Sequence, residues 1–424
     1  MSAGLAGLAL LAIVFGLLVL RQNVILTVAV ATAFVHVAMA RKSAVEFLIQ
    51  DMWFAIDREV LLSIPMFLLS GAVMTRGAIA SRLIDIMTVL TRPVPGGLGL
   101  SCILSCAAFA AISGSSVVTM LAVGTLMYPA LVKAGYDKRL SLGAIASAGT
   151  LGIIIPPSIP LLLYGITTET SVAKLFLAGF GPGFLLAGFM GAWMLAKNRH
   201  FKTQPWDRAA IAAAFRRGIW AALMPVILLG GIYTGLFTPT ESAVVALVYA
   251  LVVESFIHRE MKARDYADVT LDTVKMLGAI LPLLAIASSL NNILDLEGIP
   301  KAMVAYLTGT WGSGWTMMLA INVLLLIVGC LMDTFSAILL FAPLLLPLAS
   351  AAGWDPIHFG IIMIVNLEIG YLTPPVGLNI IIASIAFRAG FGEMVKAVTP
   401  FIVLMLAALV VITAWPALSL ALTR

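Results

Sequence analysis

The sequence predicts an all-α membrane protein, built as an inverted repeat with two re-entrant helical hairpins and two broken transmembrane helices. Three observations carry this. The 424 residues are 62% hydrophobic and 11% charged, against about 25% charged in soluble domains. Apolar runs of about 17 to 25 residues, long enough to cross a bilayer, recur from end to end. One stretch also occurs twice at an offset of 218: Pro129, Gly135, Asp137, Gly152, Pro156 and Pro157 return as Pro347, Gly353, Asp355, Gly370, Pro374 and Pro375, and Tyr136 returns as Trp354. Both copies end in Gly-x-x-x-Pro-Pro inside an apolar segment. A helix broken at corresponding places in two halves is the sequence pointer to a membrane transporter's binding site.

In chain order, Met1–Leu20 carries no charge and lacks the basic start of a signal peptide, so it reads as a first spanning helix. A second helix follows at 24–40. Residues 41–58 mix Arg41, Lys42, Glu46, Asp51, Asp57 and Arg58 with apolar side chains, a pattern expected to lie in the interface plane. A span at 60–75 continues past Gly77 to about 91. The pieces 97–112 and 115–132 are too short and too close for two full spans with a loop between, so they form a re-entrant hairpin. A helix at 140–166 breaks at Gly152–Pro157, and another runs over 175–196. The polar stretch 197–217 separates the halves. Spans at 218–235 and 241–257 and a charged loop, 258–268, come next. The second half then has a helix at 273–290, a short piece after Gly298, a hairpin of 315–331 with 334–349, a broken span at 358–386 and a final helix at 398–420. The corresponding division is 1–92 and 175–310 as framing helices, 93–174 and 311–390 as two units that each hold a hairpin and a broken helix, and 391–424 as a closing helix.

Charge sets the orientation. The loop 129–141 carries Lys133, Lys138 and Arg139, whereas its partner 347–359 carries no Lys or Arg. Basic loops stay cytoplasmic, so the hairpins open on opposite sides and the repeat is inverted. The same rule places 197–217 and 258–268 in the cytoplasm and both termini outside. The net charge of +5 reflects these loops and gives no reason to expect nucleic acid. Cys102, Cys106 and Cys330 lie in apolar segments without metal-ligand spacing. No phosphate-binding loop and no hydrolase or metalloprotease grouping is present, so neither ATP hydrolysis nor enzymatic chemistry is expected.

The hairpin tips are where chemistry is expected. The first is Ser113-Gly114-Ser115-Ser116. At the same offset the second is Met332-Asp333-Thr334. Non-helical backbone at membrane depth survives only when buried in protein or lining a polar cavity. Hydroxyl, carbonyl and carboxylate oxygens there suit a small hard cation, and helix N-termini at the breaks suit an anion. Thr150, Ser158 and Thr373 add hydroxyls at the breaks. Asp333 is the one carboxylate inside either hairpin, able to hold an ion, carry a proton or cap the second arm. Glu368 lies near the second break and either shares such a role or faces a wet cavity. Asn379 and Asn291-Asn292 are polar candidates for substrate. Thr238-Pro239-Thr240-Glu241 reads as a structural capping box.

The runs SGSSVVTMLAVGTLMYPALVKAGY (113–136), GTLGIIIPPSIPLLLYG (149–165), GLFTPTESAVVA (235–246) and GYLTPPVGLNI (370–380) resemble the large membrane subunit of tripartite ATP-independent periplasmic (TRAP) transporters. The resemblance covers nearly the whole chain. It implies an elevator-type secondary transporter in the bacterial inner membrane, driven by Na⁺ and importing a small organic acid such as a dicarboxylate or sialic acid. It also implies two partners, a periplasmic substrate-binding protein and a small four-helix membrane subunit, besides membrane lipid. Two Na⁺ sites carry over, one on Ser113, Ser115, Ser116, Gly149 and Gly152, the other on Asp333, Thr334, Gly370 and Thr373. Substrate is expected between the tips, at Gly114, Ser116, Pro157, Ser158, Thr334, Pro375 and Asn379. No arginine lies in either hairpin or break; helix dipoles and hydroxyls suffice for the carboxylate, or an arginine arrives from elsewhere. A standalone carrier of the same fold and a non-transporting scaffold subunit are the alternatives.

Overall fold

The computed structural model describes residues 24–38, 46–298 and 314–423, with a few isolated positions besides. The expected first span, Arg41 and Lys42, and most of the piece after Gly298 lie outside the described residues. The described residues form helices and no strand. In order these are α1 (Val24–Ala38), α2 (Glu46–Ile56), α3 (Ser63–Arg76) and α4 (Ile79–Thr91), then α5 (Gly97–Ser113) and α6 (Ser116–Lys133), the first hairpin. The first broken helix is α7 (Lys138–Gly149), a tight turn over Thr150–Ile153, and α8 (Ile159–Thr167). Then come α9 (Val172–Asn198), α10 (Arg208–Tyr233), α11 (Pro239–Val252) and α12 (Ala263–Leu296). The second hairpin is α13 (Trp315–Leu331) with α14 (Thr334–Ala351), and the second broken helix is α15 (Pro356–Gly370) with α16 (Leu378–Ala386). Helices α17 (Phe391–Ala414) and α18 (Ala417–Leu420) follow.

Eight of the described helical segments are long and apolar enough to span a bilayer. They pack in two groups. Helices α1, α2, α3, α10, α11 and α12 pack on one another, with α4 against α10. The hairpins, the broken helices, α9 and α17 form the other group. The groups meet where α5 touches α3 and α4, and where α14 touches α12. Helix α9 thus lies against α5, α8, α15 and α17.

The repeat is visible in local geometry. Gly135 and Gly353 adopt φ of 91° and 88°, a left-handed conformation that glycine reaches without a Cβ penalty. Two residues on, the carboxylate of Asp137 accepts the Leu140 N–H at 2.8 Å and that of Asp355 accepts the Ile357 N–H at 2.8 Å. Each caps the first arm of its broken helix. Both Pro-Pro bonds, 156–157 and 374–375, are cis.

Helix α9 also shows the inversion. Its 27 residues span about 40 Å. The base of the second hairpin lies by its N-terminal end: Tyr164, on the helix that leads into α9, donates its hydroxyl to the Pro356 carbonyl at 2.7 Å. The base of the first lies by its C-terminal end, where Phe201 stacks on Tyr136 with centroids 4.3 Å apart. The hairpins therefore open at opposite ends of the bundle.

Several helices run further than their apolar stretches suggest. Helix α10 starts at 208, not 218, with Asp207 accepting the Ala209 and Ala210 N–H groups. Helix α12 starts at 263, so only Arg259–Lys262 remains of the expected loop 258–268. Helix α17 covers 391–414 rather than 398–420. These polar helix ends project beyond the apolar layer, where hydropathy carries no signal and capping decides the boundary.

Candidate functional site

The first tip is assembled by glycines that let backbone touch backbone. Gly114 turns the chain with φ 60°, and its carbonyl accepts the Ile159 N–H at 3.4 Å. A Cβ on Gly152 would lie 2.4 Å from the Ser115 carbonyl oxygen and 2.6 Å from Thr119 Oγ1; one on Gly149 would lie 2.5 Å from Met120 Cβ. The end of α7 and the following turn therefore press on the start of α6. The Ser113 and Thr119 hydroxyls are 2.5 Å apart, and Ser113 Oγ lies 3.3 Å from the Ser115 carbonyl. This cluster of hydroxyl and carbonyl oxygens is almost fully buried.

The second tip has other chemistry. Both oxygens of Asp333 are engaged by Ser336, one by its N–H at 3.0 Å and the other by its hydroxyl. Asp333 is thus the N-cap of α14, and it is only partly buried. Of the roles open to Asp333, the structure shows the cap of the second arm. The start of a re-entrant arm leaves free N–H groups, and the nearest carboxylate satisfies one. The Thr334 N–H is bound by the Tyr371 hydroxyl at 2.9 Å, while the Thr334 hydroxyl itself is buried without a partner among the described residues. A Cβ on Gly370 would lie 2.3 Å from the Gly329 carbonyl carbon, so the second break presses on α13. The Thr373 hydroxyl donates to the Ile369 carbonyl at 2.8 Å.

Each tip faces the break of its own half, and at the tips and breaks two side-chain hydrogen bonds among the described residues cross between halves. Asn379, on α16, donates to the Ser116 hydroxyl at 2.5 Å. The Thr150 hydroxyl lies in hydrogen-bonding contact with Glu368, and these residues are themselves separated by 218. Glu368 and Thr150 are fully buried. Glu368 does not face a wet cavity; its second oxygen, Oε2, has no partner among the described residues. The first break, Thr150–Ser158, is buried throughout, whereas Pro374, Pro375 and Val376 are exposed.

Not every candidate sits at this junction. The Ser158 hydroxyl donates to the Ile153 carbonyl and accepts the Leu161 N–H, so it caps α8 instead of facing a ligand. Pro157 holds the Gly114 turn, its carbonyl oxygen 3.0 Å from where a Cβ would stand. Asn291 donates to the Leu339 carbonyl and Asn292 to Asp51; both belong to the contact of α12 with its neighbours, away from the tips. Thr119 and Tyr371 were not anticipated. Thr119 lies one helical turn beyond Ser115, the spacing that would have disclosed it. The capping box is present: the Thr238 hydroxyl accepts the Glu241 N–H, and the Glu241 carboxylate accepts the Thr238 N–H at 2.8 Å.

An all-helical bundle with opposed hairpins and paired broken helices meeting at mid-depth defines a secondary membrane transporter. Two solved structures share the fold. One is the YdaH transporter of Alcanivorax borkumensis, with TM-score 0.63 at 16% identity over 93% of this chain and 97% of that one. The other is MtrF of Neisseria gonorrhoeae, with TM-score 0.58 at 13% identity over 94% of each chain. Residues 11–418 match the family described as tripartite ATP-independent periplasmic transporter, DctM component, and the chain belongs to that family of large permease subunits. It is 41% identical to the C4-dicarboxylate TRAP transporter large permease protein DctM of Pseudomonas aeruginosa, over 86% of each protein. It is 37% identical to the isethionate TRAP transporter permease protein DctMQ of Oleidesulfovibrio alaskensis, covering 91% of this chain and 61% of that longer one. It is 34% identical to the 2,3-diketo-L-gulonate permease YiaN of Escherichia coli, over 87% of each. These relatives are named as transport subunits, and the chain is not an enzyme.

Proposed function

We propose that this permease imports a small organic acid across the inner membrane, coupled to Na⁺, and that it works with an extracytoplasmic binding protein and a separate small membrane subunit. The observation that carries the reading is the Asn379–Ser116 hydrogen bond. It joins the broken helix of one half to the hairpin tip of the other and so makes one site from both repeats. The oxygen donors fit a hard cation. Ser113, Ser115, Ser116 and Thr119 with backbone at Gly149 and Gly152 form the first candidate Na⁺ set. Asp333, Thr334 and Thr373 with backbone at Gly370 form the second, where the buried Thr334 hydroxyl lacks a partner among the described residues. Bound Na⁺ would neutralise these oxygens and fix the tips. Substrate would then contact Gly114, Ser116, Thr334, Pro375 and Asn379. The related permeases are named for C4-dicarboxylates, isethionate and a diketo-sugar acid, all small organic anions, which supports that substrate class.

In this reading the hairpins, broken helices, α9 and α17 move as a unit against α1–α3 and α10–α12, an elevator step. The test is uptake into proteoliposomes holding the permease, its small subunit and the binding protein. An inward Na⁺ gradient should drive accumulation of the acid, and K⁺ should not replace it. Equal uptake with either cation would overturn the coupling. Uptake by the permease alone would remove the partners from the proposal and leave a standalone carrier.

A further inference from the structure

A cavity lies far from the tips, at the basic end of the bundle. It measures about 650 Å³ and is lined by Asp137, Arg139, Trp193, Lys197 and Lys396 among others. The cations converge from three elements: Arg139 from the start of α7, Lys197 from the end of α9 and Lys396 from the start of α17. Two arginines at this end, Arg76 and Arg82, are neutralised inside the chain. Arg76 pairs with Asp265 at 3.3 Å and Asp268 at 3.4 Å, and Arg82 pairs with Glu260 at 3.3 Å. Arg139, Lys197 and Lys396 make no ion pair among the described residues. The one carboxylate in the lining, Asp137, is held by the Leu140 N–H as a helix cap. Lys197 Nζ stands 4.7 Å from the centre of the Trp193 ring, a cation–π contact.

The cavity is built and not merely a basic surface. Beneath it Tyr136 stacks on Phe201. The connection 199–207 is tied down at two points, by Gln204 N–H to the Arg92 carbonyl and Trp206 Nε1–H to the Leu90 carbonyl. Its wall is also amphiphilic. Ala397 and Pro400 line it, and Val403, 60% exposed, lies seven residues from Lys396. That spacing is two turns on one face of α17, about 10 Å further into the apolar layer. Cations at the rim, an indole at the boundary and an apolar strip above match a charged headgroup with attached acyl chains. Such pockets between helices at a basic membrane face take anionic lipid headgroups.

We propose that this cavity binds the phosphate headgroup of an anionic phospholipid, with Arg139, Lys197 and Lys396 contacting the phosphate and the α17 strip contacting an acyl chain. Purified permease in detergent is titrated with phosphatidylglycerol, phosphatidylcholine, glycerol 3-phosphate or inorganic phosphate while thermal unfolding is followed. Phosphatidylglycerol alone should raise the unfolding temperature. The variant R139Q/K197Q/K396Q should lose affinity for it by about tenfold or more. K202Q/R208Q/R216Q, which removes equal charge outside the cavity, should bind as the parent does. Equal stabilisation by phosphatidylcholine would overturn a charge-selective site. Equal stabilisation by glycerol 3-phosphate or phosphate would replace the lipid by a soluble phosphate compound. Unchanged binding in the triple variant, or the same loss in the control, would also refute the assignment. If the triple variant does not fold, K396Q alone must show a weakened response, and the four-ligand comparison on the parent protein stands without any variant.

Discussion

Gly152→Ala tests whether the first tip depends on close backbone contact. The added Cβ would stand 2.4 Å from the Ser115 carbonyl oxygen, 2.6 Å from Thr119 Oγ1 and 2.7 Å from the Ser115 carbonyl carbon. Two of these three are backbone atoms at a hairpin tip, so no rotamer change relieves the overlap. Overpacking of this kind costs about 1–3 kcal/mol. Alanine's better helix propensity returns at most about 1 kcal/mol, and the net change is destabilising. The shift also moves the Ser115 carbonyl, a candidate Na⁺ ligand, so Na⁺-dependent thermal stabilisation should weaken more than stability itself. Gly188→Ala is the control: an exposed site in α9 with no atom within 4 Å of the new Cβ, where the exchange should be neutral or slightly stabilising. Unfolding curves in detergent with and without Na⁺ read both quantities. If Gly152→Ala keeps the Na⁺ response of Gly188→Ala, the tip and the break do not form a cation site together.

Three further outcomes follow from single contacts. Asp333→Asn keeps a capping residue of equal quality, so folding should survive while Na⁺ affinity falls; Asp333→Ala should cost about 1 kcal/mol more in stability, and a Na⁺ titration unchanged in Asp333→Asn would leave Asp333 a cap and nothing else. Asn379→Ala removes the donor to a buried Ser116 hydroxyl, at a cost of about 1–3 kcal/mol, and should lower substrate uptake; a variant with full uptake would remove this bond from the site. Thr238→Ala breaks the capping box far from the tips and should cost about 1 kcal/mol in a melt, with no change in Na⁺ dependence.

What the sequence disclosed and what it hid divide along physical lines. Glycine and proline fix backbone geometry by themselves, so the loops at Gly135 and Gly353, the paired breaks and the two hairpins could be read directly. Asp137 and Asp355 were legible only as a matched pair of the repeat; their capping contacts came from the structure. The helix ends at 208, 263 and 391 were not legible, because charged turns lie beyond the apolar layer and resemble loops by composition. The use of Asp333 was half legible: its position at the start of an arm suits a cap, but only the structure shows both its oxygens on Ser336. Asn379–Ser116 joins residues 263 apart that the repeat does not relate, so no local pattern could pair them.

Thr150 and Glu368 differ in this respect, because the offset of 218 already relates them. In a repeat with two-fold pseudosymmetry, residues near the axis meet their own counterparts. Their contact therefore places the axis between the two breaks, and it limits which residues can stand there. Two glutamates would bring two buried carboxyls together, where like charges disfavour each other's ionised form and burial disfavours both. A threonine facing a glutamate instead offers a hydroxyl to a carboxyl. The repeat has to be broken chemically at the point where it is closest geometrically. Thr150→Glu should accordingly destabilise the protein by about 3–5 kcal/mol, with overpacking added. Glu368→Thr alone should cost less, about 1–3 kcal/mol, for a void and the lost contact, since the Thr150 hydroxyl keeps the Ser147 carbonyl at 2.6 Å. The exchange T150E/E368T restores the pair and the summed volume, so its melting temperature should lie above that of Thr150→Glu. If the exchanged protein is no more stable than the sum of the single losses predicts, the two residues are not coupled and the axis does not run between them.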